Sequence, residues 1–122
     1  MWRIEHDPDH SLLELRAFGV LGLQAIDTLA DAWAKALAST ASRPTVALFD
    51  LRGLEPLEGE AVDALRQRIK EPALALEHLT RLVIVVDSAI NTLQQRHALV
   101  DPEREVITRD PEDARALLWP QP

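Results

Sequence analysis

The chain has 122 residues, 47% of them hydrophobic and 27% charged, which suits one compact domain over residues 1–122 and leaves no room for a second. Twenty acidic residues against thirteen basic ones give a formal charge of -7, the wrong sign for holding a phosphate backbone, so nucleic acid is not an expected partner. Without cysteine there is no disulfide framework, thiolate metal site or Cys nucleophile. The opening Met1-Trp2-Arg3-Ile4-Glu5 lacks the apolar core of a leader, and no apolar run nears the roughly 18 residues of a membrane span, so no transmembrane segment and a cytoplasmic location are expected.

Trp2 to Asp7 alternates Trp2, Ile4 and His6 with Arg3, Glu5 and Asp7, the period of a half-buried strand. After a turn at Pro8-Asp9-His10 the alternation resumes from Ser11 to Phe18, with Leu13, Leu15 and Ala17 on one side. An antiparallel hairpin is predicted, its second strand interior to the sheet. Gly19 ends that strand, and Gly22 precedes a helix whose apolar positions Leu23, Ile26, Leu29, Ala30, Trp33 and Leu37 recur at spacings of three and four.

Thr45-Val46-Ala47-Leu48-Phe49, closed by Asp50, is a continuous apolar run after a helix and reads as a parallel strand covered on both faces. A second helix is predicted from about Glu58 to Glu71, with Ala61 or Val62, Leu65 and Ile69 inward and Pro72 kinking or ending it; residues 73 to 78 fit either a further turn or a loop. Leu82-Val83-Ile84-Val85-Val86 is the strongest strand and is expected at the centre, followed by cap chemistry at Asp87-Ser88. A third helix, Ala89 to about Ala98, carries Ile90, Leu93 and His97 on one face, where His97 is expected to be partly buried. Glu105 to Thr108 is a last short strand. Asp110-Pro111-Glu112-Asp113 opens a final helix anchored by Ala114, Leu117 and Leu118. The fold class is α/β with a mixed sheet, an N-terminal antiparallel hairpin followed by parallel strands, and about four helices.

This order resembles the STAS fold of bacterial anti-sigma-factor antagonists and, more closely, the SpoIIAA-like family, over nearly the whole chain. The residues that carry the resemblance are Gly19, the strand ends Leu48-Phe49-Asp50-Leu51-Arg52 and Val83-Ile84-Val85-Val86-Asp87-Ser88, and Asp110-Pro111-Glu112-Asp113-Ala114 leading into Leu117-Leu118-Trp119. The resemblance implies a regulatory protein-interaction role. A topological similarity to CRAL-TRIO lipid-transfer domains implies, as the alternative, a small apolar or lipid-like ligand between helices and sheet. Phosphorylatable STAS proteins carry an Asp-Ser-Ser-Gly-like motif at the start of the next helix, where this chain has Glu58, Gly59, Glu60 and Ala61. No hydroxyl stands there to accept a phosphoryl group. Glu60 could mimic the phosphorylated state, although an acid in a first turn is accounted for by the helix dipole.

The best binding-site candidates are Asp50, Arg52, Glu58, Glu60, Asp87 and Ser88, all near the carboxyl ends of parallel strands, where open α/β sheets place ligands. The structural account of the same residues is that Asp87 or Ser88 caps a helix, Asp50 binds loop amides and Arg52 pairs with an acid. The four histidines fall into no metal-binding spacing, and the four glycines form no phosphate loop. No nucleophile elbow occurs. The chain is therefore expected to be no enzyme, without metal or cofactor, with a hydrolase using the acidic strand ends as the least favoured alternative. A homodimer, a protein partner and an apolar ligand are the partners this reading allows. Two lysines against eleven arginines hint at a bacterial source with GC-rich DNA.

Overall fold

The computed structural model describes residues 1 to 120. Five strands, β1 (Trp2–Asp7), β2 (Leu12–Ala17), β3 (Thr45–Asp50), β4 (Leu79–Val85) and β5 (Glu105–Thr108), form one sheet in the order β1-β2-β3-β4-β5. The β1/β2 pair is antiparallel and every later pairing is parallel, as the hairpin and the helix-separated runs predict. β2 is interior. The middle place belongs to β3, while β4 lies between β3 and the short edge strand β5, so the most β-branched strand is interior but not central.

Each parallel crossover carries its helix back over the same face of the sheet, as right-handed connections between successive neighbours require. These helices are α1 (Leu23–Ala38), α2 (Gly59–Leu65) with its continuation, and α4 (Ala89–His97). Period two then divides the strands. Leu13, Leu15 and Ala17 of β2, Ala47 and Phe49 of β3, and Leu82 and Ile84 of β4 join Ile26, Leu29, Trp33 and Leu37 of α1 in the larger core. Val46, Val83 and Val85 face the other way, where, among the described residues, α5 (Pro111–Leu118) covers them with Ala114 and Leu118. At the heart of the larger core Trp33 meets Phe49 edge to face, ring centroids 5.3 Å apart, and donates its indole N–H to the Ile69 carbonyl at 2.9 Å.

Pro72 does not end the second helix. A π-helical turn (Arg66–Lys70) joins α2 to α3 (Glu71–Leu74), so residues 73 and 74 are helical. A proline ring collides with the carbonyl four residues earlier in α-helical packing; here that carbonyl belongs to Arg68, inside the wider turn, which gives the ring room.

The same turn places Lys70 wholly inside the protein, its side chain at 0% exposure. Its ammonium sits 3.1 Å from Glu105 Oε1 and donates to the Ala98 carbonyl at 3.2 Å, near the end of α4. The other carboxylate oxygen of Glu105 accepts the backbone N–H groups of Val100 (2.6 Å) and Asp101 (2.8 Å). Burial pushes the Lys70 ammonium down from its ordinary value of 10.5, and the Glu105 carboxylate opposes that shift. One buried pair thus ties the π turn, the end of α4 and the start of β5 together.

The third helix faces the opposite way from its expected orientation. Asn91, Gln95 and Ala98 are buried, while Ile90 and Leu93 stand 56% and 58% exposed and His97 is exposed with them. The physical reason is the neighbouring loop, whose backbone groups need polar partners from α4 more than the core needs two further aliphatic side chains.

Candidate functional site

The six candidate residues lie around the loop that leaves β3, residues 51 to 58, in two groups. Asp50 ends β3 at 7% exposure and is the hub of the first. Its carboxylate accepts Arg52 Nε at 2.9 Å and Arg52 Nη2 at 2.8 Å, a fork-on-fork pairing, together with the Arg52 backbone N–H (3.2 Å) and Arg16 Nη1 (3.2 Å). Arg16 reaches it from the adjoining strand, in register opposite Asp50, and lays its guanidinium 5.9 Å from the Phe18 ring centre. The Arg52 hydrogen bonds hold the Asp50 carboxyl below its ordinary 3.8 against the opposing effect of burial, and Asp50 in turn raises Arg52.

Asp87 and Ser88 follow β4 and work on the same loop. Asp87 accepts the Gly53 N–H at 2.8 Å, where Gly53 turns the chain at φ +79°. Ser88 Oγ accepts the Asn91 N–H at 3.1 Å and so caps α4. One turn further, Asn91 Nδ2 donates to the Leu54 carbonyl at 2.7 Å, and the Gln94 amide exchanges two hydrogen bonds with the backbone of Leu57, at 2.7 and 2.9 Å. On the other flank Gly19 donates to Gly53 O and accepts from Glu55 N, both at 2.9 Å. The loop is fastened from both sides, and Asp50, Asp87 and Ser88 are engaged in fastening it. Asn91, Gln94 and Arg16 are the partners that sequence reasoning missed; the signal for the first two was the polar spacing 91, 94, 95 on one side of a short helix.

Glu58 and Glu60 form the second group. Glu58 occupies the N-cap position of α2 without a side-chain cap bond, and Glu60 lies in the first turn; both are exposed. With Val20, Leu21, Leu23 and Pro56 they line a cleft of about 290 Å³ between the start of α1 and the loop. Among the described residues no hydrogen bond joins either glutamate to Asp50 or Arg52. A second groove, about 380 Å³, runs between α2 and α4 along Gly59, Val62, Asp63, Gln94 and His97. Ile90 and Leu93 belong to the outward side of the same helix.

Asp50 gives a direct electrostatic test. A carboxyl whose folded value lies below its unfolded one stabilises the fold fully above 3.8 and loses that contribution as pH falls through the lower, folded value. Asp50→Asn is expected to cost about 1–2 kcal/mol at neutral pH, limited by the half-exposed guanidiniums, with the deficit closing below that window. Urea unfolding of both proteins across the acid range checks this; a deficit independent of pH would contradict it.

Comparison with solved structures finds an uncharacterized protein of the DUF3478 family with a SpoIIAA-like fold, from Shewanella loihica PV-4. It is 24% identical over 97% of this chain and 92% of its own, with a TM-score of 0.64. The fold described above is SpoIIAA-like. No family model matches the sequence, and no curated protein does.

Proposed function

We propose that this SpoIIAA-like domain is a non-catalytic regulatory binding module of the bacterial cytoplasm, and that it docks a protein partner on the outward face of α4 and the adjoining 51–58 loop. The observation that carries this reading is the orientation of α4. Its amides are turned inward to hold the loop, and Ile90 and Leu93 are left in water at adjacent positions one turn apart. A surface of that kind gains free energy when covered. The loop and the start of α2 carry exposed Glu58, Glu60, Asp63 and Asp87, which on that side favour a polypeptide whose apolar anchors are flanked by basic side chains. Arg52 stands half exposed near Asp87, while Asp50 and Ser88 act as positioning residues for the loop. With glycine and glutamate at positions 59 and 60, recognition at this loop is not gated by a phosphorylated serine there.

Ile90→Asp and Leu93→Asp test the reading. Both side chains are exposed, so the melting temperature should stay within a few degrees of wild type. Proteins captured from the host's own extract by the wild-type chain should include at least one that both variants lose and that an exposed Trp119→Asp control keeps. Identical capture by all four proteins would reject the α4 face.

The alternative of a small apolar ligand draws support from a different place. The space between helices and sheet is filled by Trp33, Phe49, Leu65 and Ile69. A surface cleft of about 390 Å³ near the end of α1 is lined largely by apolar side chains, among them Leu37, Pro72 and Leu76, with His78.

A further inference from the structure

We infer that β1 is a self-complementary edge, and that two copies of the chain join through antiparallel β1 strands in a register centred on Ile4. This goes beyond the partner surface proposed above and uses the opposite side of the sheet.

The hydrogen-bonding parity of β1 is fixed by its neighbour. Met1 and Phe18 exchange both backbone hydrogen bonds, each 3.0 Å long, which makes them a hydrogen-bonded pair of the antiparallel ladder. Pairing then repeats at every second residue, so Arg3, Glu5 and Asp7 turn their N–H and C=O groups towards β2. Trp2, Ile4 and His6 turn theirs outward, where, among the described residues, no strand lies beyond β1. Natural edges are commonly blunted by proline, a bulge or charged side chains, which deter pairing unless a second strand supplies opposite charges. β1 has six residues with no proline and continuous pairing to β2, and its charges are of both signs, Arg3 against Glu5 and Asp7.

Only some registers use the outward groups of both copies. Pairing Trp2 with Ile4 of the second copy sets Arg3 against Arg3, and pairing Ile4 with His6 sets Glu5 against Glu5. Shifting further, so that His6 meets His6, sets Glu5 against Asp7. The register that places Ile4 opposite Ile4 sets Arg3 of each copy against Glu5 of the other and lets the whole strand pair. Arg3 and Glu5 then form non-hydrogen-bonded pairs, in which Cα atoms are about 4.5 Å apart and side chains are closest. Within one chain Arg3 Nε already lies 3.0 Å from Glu5 Oε1, and both side chains are largely exposed on the α5 side of the sheet, where Glu5 lines a cleft with Arg115 and Trp119. The second copy would close a ring of four alternating charges. On the α1 side, the same register sets Trp2 beside His6.

Sedimentation velocity over a concentration series, with Arg3→Glu, Glu5→Arg and the double exchange, tests this. The wild-type chain should dimerise, and either single exchange should weaken the dimer roughly tenfold to a hundredfold by creating two like-charge pairs. The double exchange restores opposite charges and should restore dimerisation, a rescue that loss of folding could not produce. Circular dichroism confirms that each variant is folded. A wild-type chain that stays monomeric, single variants that dimerise as the wild type does, or a folded double variant that stays monomeric would each overturn the proposal.

Discussion

Lys70→Met is expected to cost about 3–5 kcal/mol of folding stability, because it leaves the Glu105 carboxylate buried without its cation. Both side chains are completely inaccessible, so water cannot substitute for the lost ammonium. The Lys70→Met, Glu105→Gln double variant should recover most of that loss. A glutamine oxygen can still accept the Val100 and Asp101 N–H groups, and no isolated charge remains. Urea denaturation of the wild type, both single variants and the double variant measures the coupling directly. A double variant no more stable than Lys70→Met would mean that the ammonium's bond to the Ala98 carbonyl, rather than its pairing with Glu105, carries the effect.

Trp33→Ala is expected to lose a similar amount, about 3–5 kcal/mol, through the cavity left in the larger core. The indole is fully buried, touches Phe49 edge to face and satisfies the Ile69 carbonyl. Trp33→Phe separates these contributions: it keeps much of the volume but leaves that carbonyl without its donor, for a smaller loss of about 1–3 kcal/mol. Equal losses from the two variants would assign the effect to the hydrogen bond rather than to packing. Chemical denaturation followed by circular dichroism makes the comparison without relying on tryptophan emission.

Much of the architecture was legible because its signals are local. Leu13, Leu15 and Ala17 state a strand face by their alternation, and Ile26, Leu29, Trp33 and Leu37 state a helix face by spacing. Asp110-Pro111 announces the start of α5, and Asp110 does cap it, accepting the Glu112 N–H at 2.9 Å. In α4, periodicity identified two faces, and the apolar one expected to turn inward is the one left outside. That choice depends on the carbonyls of Leu54 and Leu57, which meet α4 only in the folded chain. The Lys70 and Glu105 pair was invisible for the same reason: its members are distant in sequence, and each reads alone as a surface charge. At the candidate site the strand-end cluster was found by topology. The division of labour within it, with Asp50, Asp87 and Ser88 bracing the loop while Glu58 and Glu60 stand free of it, required the hydrogen-bond partners.

The strand order, which repeats the sequence order, has a further consequence for assembly of the fold during synthesis. Each new strand pairs with the one made just before it, so no early edge has to wait for a distant segment. The front layer can therefore be completed as the chain lengthens. The back of β3 and β4 is different, because Val46, Val83 and Val85 have no cover until α5 has been made. A nascent chain halted before Pro111 carries a finished front and a bare aliphatic strip behind it, a species for which chaperones have affinity.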